Sequence, residues 1–141
     1  MKVVINDKHG GFRLSDVAIN RYAELKGWKV WTEQDAVFKS LTHHWIVPPE
    51  ERVVFPEHYV WASLPQEERQ AMNEKCRTQQ IYEREMERTD PILIQVIEEL
   101  GEQCNTKVSS PKVVEIPDDV KWTIEEYDGL EWVAEVHRTW G

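Results

Sequence analysis

Two arginines four residues apart, Arg84 and Arg88, stand just upstream of a helix start, with Thr89 beside them and Tyr82 just before. Arginine grips phosphate oxygens in pairs. A helix N-terminus adds free N–H groups and the positive end of its dipole. An aromatic ring such as Tyr82 can stack on a base, a contact worth ~1–3 kcal/mol. A second group follows a glycine pair: Phe12 and Arg13 come directly after Gly10-Gly11, and Lys107 sits in a polar loop further on. These residue types suit a pyrophosphate attached to a purine. Arg84 and Arg88 also have Glu83, Glu85 and Glu87 as neighbours, so plain ion pairing stands beside the phosphate reading.

Other chemistries find less support. His43 and His44 are adjacent on a β-rich stretch, and neighbours on a strand point to opposite faces, so they cannot chelate one ion. His9, His58 and His137 lack metal-ligand spacing. Ser15, Ser40, Ser63, Ser109 and Ser110 occupy no nucleophile-elbow context. Cys104 reads as a small core residue. With Cys76 it fits neither a disulfide framework nor a CxxC pair, which suits reduced thiols in a cytosolic compartment. The carboxylates of Glu115–Glu135 read as a solvated sheet face. The residues therefore predict no catalytic group, no metal and no cofactor, and hence not an enzyme.

The elements that must position these residues centre on Arg88–Gly101 (RTDPILIQVIEELG). Asp90 sits at an N-cap, Pro91 at the first helical position and Gly101 at the C-terminal stop. Leu93, Val96, Ile97 and Leu100 recur at helical spacing and share one face. Burying each such side chain is worth roughly 1.5–3 kcal/mol, so this helix must pack on something large.

Upstream, Lys2–Asn6 (KVVIN) reads as a buried strand, Gly10-Gly11 as a turn or a close backbone approach, and Ser15 as the N-cap of a helix to about Lys26. The strand–glycine turn–helix outline resembles a phosphate-binding loop, without its GxGxxG or GK[ST] signature. Trp28–Thr32 and Val37–Val47 read as strands, Glu50–Phe55 as extended and Glu57–Ala62 as a helical turn. Ser63 reads as the N-cap of a thinly apolar helix running to Gln80, and Gln80–Glu85 as extended. After the central helix, Lys112–Ile116, Lys121–Glu126 and Leu130–Val136 read as a three-stranded β-meander. Asp128-Gly129 is its type I′ turn. On the last strand Leu130, Trp132, Ala134 and Val136 should face inward, with Glu131 outward. The expected fold is α+β, a mostly antiparallel sheet with two to three packed helices.

Composition bounds the partners. At 141 residues the chain reads as a single domain, residues 1–141. A net charge of -9, from 26 acidic against 17 basic side chains, argues against general DNA or RNA binding. No apolar run is long enough to span a membrane, and the opening residues lack a signal-peptide pattern. The seven tryptophans fit core, interface and stacking roles alike.

Three segments carry a resemblance to known proteins: VVIN…GGFxLSxxA over Val3–Ala18, RxDPxLxQVxEELG over Arg88–Gly101, and KxVEIPDDVxWxIEEYDGxExVAExHRTW over Lys112–Trp140. They cover about half the chain, in matching order, and Thr32–Gln80 matches least. By them the chain resembles the Thoeris anti-defence 1 family of phage proteins. The resemblance implies a sponge that binds a cyclic ADP-ribose-type signal from bacterial TIR-domain enzymes without degrading it. It also implies a homo-oligomer, dimer or higher, with pockets at the subunit interface, working in the host cytoplasm; some members also bind cyclic oligonucleotides. Where the family turn commonly reads CYGGF, this chain has Lys8-His9-Gly10-Gly11-Phe12, which puts any role of that Cys-Tyr pair in doubt. Within or beside the matching segments, local chemistry selects Phe12, Arg13, Tyr82, Arg84, Arg88, Thr89 and Lys107 as ligand-binding candidates. Three rival readings stay open: an inhibitor that binds a host protein through the acidic face, a nucleotide phosphodiesterase, and a structural phage accessory domain with no ligand.

Overall fold

The structure, a computed structural model, describes residues 1–141. It contains four helices and six strands, and the strands pair antiparallel in three two-stranded sheets, an α+β fold. The chain divides into two compact units. The first comprises Met1–Lys26 with Glu83–Gly141, and the second Gly27–Tyr82. No helix is long and apolar enough to cross a membrane.

In the first unit, β1 (Lys2–Asn6) pairs with β4 (Pro111–Glu115) in the register Val3↔Val114, Val4↔Val113. Helices α1 (Asp16–Lys26) and α4 (Pro91–Leu100) pack against each other and build the core with that ribbon. Val3, Val4, Leu93 and Val96 are fully buried there, with Ala18 and Ile19 from α1. Ser15 caps α1 as its sequence predicts, accepting from the Ala18 N–H at 3.2 Å.

Helix α4 keeps the expected bounds. The Asp90 carboxylate accepts from the Ile92 N–H at 2.9 Å, and Gly101 ends the helix at φ +54°. Asp90 also accepts from the Tyr22 hydroxyl at 2.8 Å and pairs with Lys26 at 3.5 Å. Burial would raise the Asp90 pKa, but the Tyr22 hydroxyl, the Ile92 N–H and Lys26 together outweigh it and hold the carboxyl below its usual range. Tyr22 is pushed the other way, first by burial and then by its bond to Asp90. A depressed carboxyl stabilises the fold above its unfolded pKa and loses that contribution as pH falls through its folded pKa. Asp90→Ala should therefore cost about 1–2 kcal/mol at neutral pH. The gap between variant and parent should shrink as pH falls below the ordinary carboxylate range, which denaturation curves across that range will measure.

The β-meander does not form. Strand β4 pairs with β1 across the whole chain, while β5 (Trp122–Tyr127) and β6 (Leu130–Glu135) make a separate hairpin. The two Val-Val strands, KVVIN and PKVVE, match each other in length, and long-range pairing of this kind leaves no mark in local sequence. The hairpin turn is as expected: Asp128 (φ +49°) and Gly129 (φ +87°) are both left-handed, the type I′ requirement. The predicted inside-outside alternation of Leu130–Val136 fails at three places, one of them Val136, which lies past the end of β6 and is 47 % exposed. Trp132 is 41 % exposed and donates its indole N–H to Glu125 at 3.1 Å. Glu131 turns inward, toward a part-buried arginine that takes its charge, as described below.

In the second unit, β2 (Trp31–Gln34) pairs with β3 (Thr42–Trp45). The expected strand at Trp28–Thr32 thus starts later, and Val37–Val47 contributes only its last part. Asp35 explains this. Its carboxylate accepts from the N–H groups of Val37 and Phe38 at 2.9 and 2.8 Å, closing a turn, and meets His43 at 2.9 Å. Helix α2 (His58–Ser63) ends at Ser63, whose hydroxyl donates to the Val60 carbonyl. Helix α3 (Gln66–Thr78) begins after Pro65 without a side-chain cap, so Ser63 closes one helix and does not open the next. The expected extended Gln80–Glu85 makes a bridge at Gln80 and then a 3-10 turn at Glu83–Glu85, the latter in the first unit. His44, Trp45 and Ile81 are the buried residues of this unit.

Both cysteines are free. Cys104 is fully buried, and burial pushes its thiol up to about 11. Since the thiolate is the reactive form, a thiol reagent at pH 8 should label Cys76 alone in the native protein and both in denaturant. Equal labelling rates in the native state would contradict this placement.

Candidate functional site

Three pieces of the first unit converge on one cleft: the glycine turn after β1, the tip of the β5–β6 hairpin, and the arginine-bearing segment before α4. The hairpin tip is locked onto the glycine turn. The Gly10 N–H donates to the Asp128 carbonyl at 3.1 Å, and the Asn6 side chain donates to the Gly129 carbonyl at 2.7 Å. Glycines are required because the backbones touch: a Cβ on Gly10 would lie 2.5 Å from the Val108 carbonyl oxygen. Since the hairpin takes the Gly10 N–H, that group is not free to cradle a phosphate.

The cleft beside this contact has a volume of about 570 Å³ and is lined by Gly10, Gly11, Phe12, Arg84 and Arg88, and by Glu126, Asp128, Gly129 and Glu131 from the hairpin. That size lies within the range of small-molecule sites, roughly 300–1,000 Å³.

Its two arginines differ. Arg88 donates to both carboxylate oxygens of Glu131 at 2.6 and 3.0 Å and to the Val4 carbonyl at 3.2 Å. Its guanidinium lies over the Phe12 ring, 3.7 Å from the centroid. Glu131 also accepts from the Asn6 N–H at 2.8 Å. Arg88 is thus a structural cation joining β1, β6 and the α4 approach. Arg84, on the 3-10 turn, makes no hydrogen bond or ion pair, and its Nη2 comes within 3.2 Å of where a Gly11 Cβ would stand. It is the cleft's uncommitted cation.

The other sequence candidates fall elsewhere. Phe12 lines the cleft but is 3 % exposed, with Arg88 on its face, so no base can stack on that face. Arg13 turns away to Glu83 at 3.2 Å. Burial pushes the Glu83 carboxyl up, and Arg13 and Arg84 only partly oppose this. Thr89 lies in the turn before Asp90, and Lys107 in an exposed bend, neither in the cleft lining. Tyr82, half exposed, belongs to the second unit. The start of α4 offers no vacancy for an anion, because the Asp90 carboxylate already occupies it. Arg88 does form an ion pair, but not with its neighbours Glu83, Glu85 or Glu87; its partner is Glu131, 43 residues away.

Glu126, Asp128, Gly129 and Glu131 were missed as site residues. Asp128-Gly129 signals a turn in sequence, and nothing local says where that turn docks. Comparison with models of known families, with curated proteins and with solved structures gives no match.

Proposed function

We propose that this chain binds a cyclic ADP-ribose-type signalling nucleotide in the cleft between the glycine turn and the hairpin, and holds it intact. In this reading it is a phage anti-defence sponge acting in the host cytoplasm against Thoeris. One observation carries the reading. The three segments on which the family resemblance rests, Val3–Ala18, Arg88–Gly101 and Lys112–Trp140, are the ones that build the first unit and nearly all of the 570 Å³ cleft. The stretch that matches least, Thr32–Gln80, falls in the second unit. Arg84 is the cation placed to meet the pyrophosphate. Sequestration needs no base, nucleophile or metal, only affinity; a nanomolar Kd corresponds to about −12.3 kcal/mol.

The working form is proposed as a homo-oligomer whose partner copy closes the cleft. Helices α2 and α3 bury no residue, while Val37, Phe38, Val54 and Tyr59 are exposed, and apolar surface of this kind suits an interface.

Native mass spectrometry tests the proposal. The protein is weighed alone and after mixing with the products of a TIR enzyme acting on NAD. The expected result is a mass gain of one cyclic ADP-ribose per cleft, with the same molecule recovered unaltered after heating. Recovery of a hydrolysed product would favour a phosphodiesterase. No mass gain would favour the host-protein inhibitor, which the exposed carboxylates of Glu115, Asp118, Asp119, Glu125 and Glu135 would suit.

A further inference from the structure

We infer that the cleft selects a ligand with one compact anionic group and several hydroxyl or amino donors, and that Glu126 and Asp128 are the residues that reject more highly charged nucleotides. The inference rests on the sponge reading and narrows its ligand class.

The charge of the cleft leads to this. Two arginines face three carboxylates, and the Arg88 charge is already matched by Glu131 at 2.6 Å. That leaves Arg84 alone to meet an anion. Glu126 uses one oxygen, Oε2, to accept from the Gly129 N–H at 3.1 Å, and its Oε1 has no partner. The Asp128 side chain is 83 % exposed, with the His9 ring 4.0 Å away. Ionised carboxylates are acceptors only. The groups they can take are therefore ribose hydroxyls and exocyclic amines. A phosphate pushed toward them meets like charge at close range.

A pyrophosphate flanked by sugars satisfies both sides: the phosphates reach Arg84 and the sugar hydroxyls reach Glu126 and Asp128. A triphosphate has no second uncommitted cation to meet. Arg88 cannot supply it without giving up Glu131, and that would leave a carboxylate with 11 % side-chain exposure short of its counter-charge.

The test is a calorimetric titration of cyclic ADP-ribose, ADP-ribose and ATP into the wild-type protein and into the double variant Glu126→Gln/Asp128→Asn. Both substitutions keep local structure. Glutamine retains an oxygen for the Gly129 N–H, and asparagine tolerates the left-handed backbone at position 128. Wild type should prefer ADP-ribose over ATP by about tenfold or more, the worth of one charge-assisted contact. The double variant should lose most of that preference, chiefly by a gain in ATP affinity. Binding of cyclic ADP-ribose with the ADP-ribose to ATP ratio unchanged between the two proteins overturns the inference and leaves the sponge reading standing. No binding of any of the three to wild type overturns both.

Discussion

Gly129→Ala should lower folding stability by about 4 kcal/mol, a loss large enough to need a specific mechanism. Two costs add. Gly129 has φ +87°, a conformation that costs an L-residue about 1–2 kcal/mol. Its missing Cβ also faces backbone: it would overlap Gly11 N and lie 2.5 Å from Gly10 N. Neither atom belongs to a flexible side chain that could move aside. The hairpin would have to lift off the glycine turn, breaking the Gly10–Asp128 and Asn6–Gly129 hydrogen bonds. At about 2–4 °C per kcal/mol for a chain near this size, the thermal midpoint should fall by roughly 10–15 °C. Gly27→Ala, also at positive φ but with nothing near its Cβ direction, should cost only the conformational part. Equal losses for the two variants would show that the hairpin contact is loose.

The second large effect belongs to Arg88 and Glu131. Their side chains are 17 % and 11 % exposed, so removing either partner strands a part-buried charge, at a cost of about 2–3 kcal/mol, below that of a fully buried pair. Arg88→Ala loses more than the pair, because the guanidinium also holds the Val4 carbonyl and covers Phe12. Glu131→Ala additionally frees the Asn6 N–H. Since the two share one interaction, the double variant should cost clearly less than the sum of the singles, by at least about 1 kcal/mol. Urea denaturation of the four proteins gives this coupling. Strict additivity would place Arg88 in solvent and return it to the list of free phosphate ligands.

How much of this was legible follows from the range of each interaction. Helix α4 is written locally, from Asp90 and Pro91 to Gly101, and so is the Asp128-Gly129 turn; both hold in the structure. What the sequence could not place are the partners across the chain. The strand Pro111–Glu115 has Val-Val on both sides and could pair with any similar strand; it takes β1 and not the neighbouring β5. Glu131 reads as an outward residue of an alternating strand, and only the position of Arg88 reverses it. The same blindness shaped the site. Phe12, Arg84 and Arg88 line one cleft, but Arg13 turns to Glu83, and Thr89, Lys107 and Tyr82 are not in that lining. In the second unit, Asp35 turns a β-rich stretch into a loop through two backbone N–H bonds, a local signal readable only once the turn is suspected.

The central claim is that Arg84 meets the signal's phosphates in the glycine-turn cleft. Titrating a purified cyclic ADP-ribose isomer, made by a TIR enzyme, into wild type and Arg84→Ala tests it most directly. Arg84 makes no bond within the fold, so the variant should keep its thermal midpoint, with stability changed by no more than about 0.5 kcal/mol. It should bind the signal about tenfold to a hundredfold more weakly, the loss expected for a hydrogen bond to a charged group. Unchanged affinity in a folded Arg84→Ala protein would contradict the account and move the ligand away from this cleft.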